Sequence, residues 1–209
     1  MVKFAQIALI ILCSPALYAH PVTFTDGVAF SSIYRPNIAI LHGNYTLSRH
    51  VAIGATYLQL SDSDNEIRAG VGQVNVLAYR WNGMGSQANV YMMGGAGYGA
   101  FSRDDPAPAY YAALQLDYET PRFYSAMMGR TITDGNAYPY QAIARLGLAP
   151  FEAEYNALQA WLIGQMSYFP AMQDDPDFTV LLRFFYRTVL WEMGADLYGR
   201  PWLQLMVHY

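Results

Sequence analysis

The chain has 209 residues, a formal net charge of −4 and 54% hydrophobic residues, yet a mean hydropathy of only +0.09. Its single cysteine, Cys13, lies in the leader, so the rest of the chain has neither a disulfide nor a thiolate site, and any chemistry must use other groups. The lack of a basic excess argues against nucleic acid, and apolar residues dispersed among polar ones leave no later segment fit for a transmembrane helix.

Lys3, the apolar run 4–12 and the small-residue stretch 13–19 form a secretory signal peptide; the run is too short for the roughly 20 residues of a spanning helix. Cleavage after Ala19 is the preferred expectation and leaves His20 first; cleavage after Ala16 is the alternative. The chain then divides into a signal peptide at 1–19 and one barrel domain at 20–209, with no internal repeat or linker.

Beyond the leader, turn residues bound segments at 27–34, 37–47, 51–61, 66–81, 88–101, 108–119, 122–132, 139–148, 152–169, 177–187, 189–198 and 201–209. This predicts an all-β, antiparallel transmembrane barrel of twelve strands, with ten as the alternative. Within 109–119, Tyr110, Ala112, Leu114, Leu116 and Tyr118 alternate with Tyr111, Ala113, Gln115, Asp117 and Glu119. One face is therefore apolar with aromatics at both ends, the distribution lipid imposes on a barrel wall. Segments 141–148, 158–168, 178–187 and 189–197 repeat this period of two, whereas 67–81 changes face near Gln73, as a β-bulge there would explain. Gly94-Gly95-Ala96-Gly97-Tyr98-Gly99 lies inside a strand and so suits bending or close packing of the wall, not phosphate binding. An even strand number puts both termini on the inner side of the membrane, and the longer connections then fall outside, although 82–87 is long for an inner turn.

The last segment, Trp202-Leu203-Gln204-Leu205-Met206-Val207-His208-Tyr209, alternates into a terminal aromatic. In this respect the chain resembles Gram-negative outer-membrane β-barrel proteins. The resemblance implies an outer-membrane location, contact with lipid and lipopolysaccharide, and recognition of the strand ending at Tyr209 by the outer-membrane assembly machinery. The start of the exported chain, His20-Pro21-Val22-Thr23-Phe24-Thr25-Asp26-Gly27, resembles small proteobacterial barrels linked with metal handling.

With polar faces turned inward, the charged lumen lining is expected to comprise Asp117, Glu119, Arg145, Arg183, Arg187, Glu192 and Asp196, joined by Asn44, Gln115, Gln141, Gln159, Gln165 and Gln204. A hairpin turning near Thr188 should bring Arg183 and Arg187 opposite Glu192 and Asp196. Side chains fill barrels of about eight strands and water fills those of about sixteen or more, so twelve allows either a plug or a narrow, ion-selective pore. Asp62, Asp64, Glu66, Asp104, Asp105, Asp134, Asp174, Asp175 and Asp177 make the outer loops acidic, a setting for solvated carboxylates or a loop-bound divalent cation. No other cofactor is expected.

Among the histidines, only His20 offers an imidazole and, after cleavage, an α-amine to a metal ion; no second ligand is identifiable. The pairs Met92-Met93 and Met127-Met128 cannot clamp one ion, because neighbours in a strand face opposite ways. An outer-rim lipid-modifying enzyme is the competing class, but there is no Gly-x-Ser-x-Gly, and only His42 with Ser31 or Ser32 is conceivable as a base and nucleophile. The reading is therefore a non-enzymatic narrow pore or transport-associated barrel for ions or small polar solutes. A plugged structural or interaction barrel of an envelope or metal-handling system is the alternative.

Overall fold

The computed structural model describes residues 20–61, 66–101, 105–136, 138–154, 156–171 and 174–209. Twelve antiparallel strands close into a barrel in which each strand pairs with its sequence neighbours and the first pairs with the last. They are β1 (Val28–Arg35), β2 (Ile38–Ser48), β3 (Val51–Ser61), β4 (Glu66–Gly83), β5 (Ser86–Phe101), β6 (Ala107–Glu119), β7 (Phe123–Thr133), β8 (Tyr140–Leu148), β9 (Gln159–Tyr168), β10 (Asp177–Tyr186), β11 (Val189–Asp196) and β12 (Pro201–His208). At the seam, Val28 and Tyr209 exchange two backbone hydrogen bonds of 2.8 Å.

Alternation decides which side chains face lipid. Leu41, Ile53, Leu114, Leu162, Val180 and Leu205 are exposed around the wall, with Tyr34, Tyr45, Tyr57, Tyr110 and Tyr186 among them. The inward set is graded along the barrel axis. Toward the outer end, Ile38, Ile40, Leu58, Leu60, Ile67, Phe101, Ile132 and Phe169 pack into an apolar cluster across the lumen. Toward the end that carries the termini, the same strands turn His42, Asn44, Thr56, Gln73, Asn75, Gln115 and Asp117 inward.

That gradient corrects the bulge expected near Gln73. Ile67, Ala69, Val71, Gln73, Asn75 and Leu77 all point inward without a break, and only their polarity changes at Gln73. The irregularity in the β4–β5 ladder comes later, between Leu77 and Tyr79. β4 and β5 also run further than expected, to Gly83 and from Ser86, so the supposed long inner connection is a two-residue turn with Gly85 at φ 71°. Conversely, β9 begins at Gln159 and not at 152. Leu148, the last residue of β8, pairs with Leu162, and Phe185 of β10 pairs with Gln159, so residues 152–154 and 156–158 lie beyond both neighbouring ladders.

Candidate functional site: the lumen

Residues 20–27, ahead of β1, do not hang free. They enter the inner mouth of the barrel, where His20, Pro21 and Val22 are buried. The Pro21 carbonyl accepts hydrogen bonds from Asn44 Nδ2 at 2.9 Å and Asn75 Nδ2 at 3.1 Å. Thr23 N–H donates to Thr46 Oγ1 at 3.1 Å, and Asp26 N–H to the Thr46 carbonyl at 2.9 Å. Val22 packs with Ala52, Leu77, Tyr91 and Met93. Proline suits this course, since its missing N–H leaves no buried donor to satisfy.

His20 is the head of this plug. Its ring stacks on Tyr91 with centroids 5.5 Å apart, Nδ1 lies 3.6 Å from Asp117 Oδ2, and Nε2 lies 3.7 Å from Glu119 Oε1. Burial works against a charged imidazole, but the attraction of the Asp117 and Glu119 carboxylates beside it outweighs that and holds the His20 pKa up at about 9. Asp117 is in turn held by Asn89 Nδ2 at 2.6 Å and Gln115 Nε2 at 3.1 Å. His20 thus sits between two carboxylates, and no cluster of three or more metal-ligating groups occurs among the described residues.

The opposite wall carries the arginines. Arg183 Nε donates to Glu192 Oε1 at 2.6 Å and Arg145 NH1 to Glu192 Oε2 at 3.2 Å, so one buried carboxylate serves two guanidiniums. Arg145 also donates to Gln165 Oε1 at 2.7 Å and stands 5.7 Å from the Trp202 ring centroid, while Arg183 stacks 4.6 Å over Tyr124. Arg130, absent from the expected lining, donates through Nε to Gln141 Oε1 at 2.8 Å. Its inward direction follows from the β7 alternation of Tyr124, Ala126, Met128, Arg130 and Ile132; the signal was present but weak, because most of that inward set is apolar.

Arg187 does not join this wall. The β10–β11 hairpin sets Arg183 against Glu192, which makes Arg187 part of the turn at φ 54°, exposed and lying over the Tyr186 ring. Asp196 therefore faces Thr179 at the other end of the hairpin, where it pairs with Arg200 and approaches Arg35 at 3.9 Å. Asp177, expected as a cation-attracting mouth residue, joins the same outer network, 2.6 Å from Arg35 and 2.7 Å from Arg200. Glu66 is likewise taken by Arg68 at 2.7 Å. Asp105, Asp174 and Asp175 are exposed, whereas Asp62, Asp64 and Asp104 lie outside the described residues. His42, the conceivable base, is held by Thr56 and Asn44, with Nδ1 2.8 Å from Thr56 Oγ1 and Nε2 3.3 Å from Asn44 Nδ2.

Between the outer apolar cluster, the plug and the arginine wall is a cavity of about 160 Å³, lined by His20, Asn44, Arg130, Arg145, Arg183, Trp202 and Gln204 together with apolar side chains. Solved outer-membrane barrels share the architecture. A KdgM porin in complex with disordered oligogalacturonate is 10% identical, with a TM-score of 0.50 over 88% of this chain and 98% of the porin. A second KdgM porin structure, also 10% identical, gives 0.48 over the same shares. A loop-deletion form of OmpT, an outer membrane protein of Vibrio cholerae, is 10% identical and gives 0.34 over 88% of this chain and 96% of that one. No family model and no curated protein matches the chain. The chain has the fold of an outer-membrane β-barrel. The resemblance to metal-handling barrels finds no support in these comparisons.

Proposed function

We propose that the chain is an outer-membrane transport barrel, a narrow conduit for small polar solutes whose resting state is closed by residues 20–22 at the inner mouth and by the apolar cluster at the outer end. The observation that carries this reading is the position of His20, Pro21 and Val22 inside the inner mouth, held by side chains of β2, β4 and β6. A barrel with a purely structural role has no need to seat residues 20–22 on polar partners when apolar side chains can fill the space, as they do at the outer end. The lipid-facing girdle and the seam at Tyr209 support an outer-membrane location, contact with lipid and lipopolysaccharide, and delivery by the assembly machinery.

Planar-bilayer recording tests the proposal. The intact barrel should be nearly silent, and a variant that lacks residues 20–23 and also carries Ile40→Ala, Leu58→Ala and Ile132→Ala in the outer apolar cluster should show discrete, frequent openings. Such a variant that folds, judged by retained heat-modifiable mobility, yet stays silent across many insertions would sink the conduit reading in favour of a plugged interaction barrel.

A further inference from the structure

The cavity between plug and arginine wall has a composition of its own. Three guanidiniums, those of Arg130, Arg145 and Arg183, border it, and Glu192 pairs with only the latter two. No ion pair joins Arg130 to a carboxylate among the described residues; its neighbours are the neutral Gln141 and Tyr111. A cation facing a largely apolar space without a counter-charge favours an anion there.

Three residues of the lining also each bury one polar atom that has no hydrogen-bond partner among the described residues: Trp202 Nε1, a donor, and Gln204 Oε1 and Asn44 Oδ1, both acceptors. Such atoms are costly unless something answers them. A ligand that satisfies the set must carry an anionic acceptor for Arg130 and Trp202 and a hydroxyl donor for Gln204 or Asn44. The rest of the lining, including Ile33, Ile40, Met93, Ile143 and Met206, requires an apolar body. The volume, about 160 Å³, matches one ring, since a cavity of about 150 Å³ accepts benzene.

We propose that this cavity binds a small hydroxylated ring carboxylate, with its carboxylate on Arg130 and Trp202, its ring against the methionines and isoleucines, and its hydroxyl on Gln204 or Asn44. The inference names a solute class for the transport reading and rests on that reading only for the route of entry. Calorimetric titration of the purified full barrel in detergent with para-hydroxybenzoate tests it. One saturable site is expected, with para-hydroxybenzyl alcohol binding roughly tenfold more weakly or worse, the loss that a charge-assisted hydrogen bond implies. Arg130→Gln should weaken para-hydroxybenzoate by a similar factor while Arg130→Lys recovers part of it, which separates lost charge from lost packing. Absence of saturable binding, or equal binding of the alcohol or of the corresponding benzylamine, would overturn the site. The two readings fail separately: saturable binding by a barrel whose plug-and-cluster variant stays silent leaves the site standing without transport, and conductance without binding leaves transport without this solute.

Discussion

His20 keeps its charge at neutral pH because the plug places it between Asp117 and Glu119, and this gives the lock a pH window. A histidine whose pKa is raised from 6.5 to about 9 contributes its full stabilisation below about 6.5 and loses it as pH rises through about 9. Seating should therefore loosen on the alkaline side. A nitroxide or fluorophore attached at residue 23 should report increasing mobility between about pH 8 and pH 10, and His20→Ala should abolish that transition while mobility stays high throughout; a pH-independent signal in the wild type would refute the ion-pair lock. Glu192 offers a second test at this scale. Glu192→Gln strands Arg145 and Arg183 against each other in a buried site and should cost about 3–5 kcal/mol in urea unfolding from lipid vesicles. Arg183→Met with Glu192→Met should lose less than the sum of the single changes; simple additivity would argue against the pair.

Among the strands, the inner face of β5 is where sequence constrains structure most tightly. A Cβ on Gly97 would stand 1.9 Å from the Gly70 carbonyl oxygen of β4, whereas one on Gly94, on the lipid side, would meet nothing within 4 Å. Gly97→Ala should lower stability by about 1–3 kcal/mol, and Gly94→Ala should not, as read from heat-modifiable mobility; equal effects would mean that strand propensity, not close approach, dominates. The strand positions were legible because lipid outside and a filled lumen inside impose a period of two on 107–119 and 177–186 alike. The start of β9 was not, because the stretch before it keeps some alternation, but its described residues 152–154 and 156–158 have no ladder partner. Nor was the plug: Asp117 and Glu119 are almost a hundred residues from His20, and no local periodicity announces that a strandless segment folds inward. Arg187 failed for a simpler reason, since a two-residue turn closes the hairpin immediately beyond Tyr186.

For the molecule as a whole, closure rests on the β1–β12 ladder, which Tyr209 extends by one more pair of backbone hydrogen bonds. Removing Tyr209 deletes both of its hydrogen bonds to Val28 and should reduce the folded barrel fraction in membranes, scored by heat-modifiable mobility; unchanged yield would show that β12 carries the closure without it. The wall that this seam completes is uneven in height. β12, β11 and β1 have 8 residues each, while β4 has 18 and β5 has 16. At a rise of about 3.3 Å per residue and a tilt of about 40°, the short flank spans about 20 Å of bilayer normal, less than the apolar band of about 25 Å, and β4 more than spans it. A bilayer around this barrel should therefore be thinner beside the seam than beside β4, its thinnest part lying against the strands that close the wall.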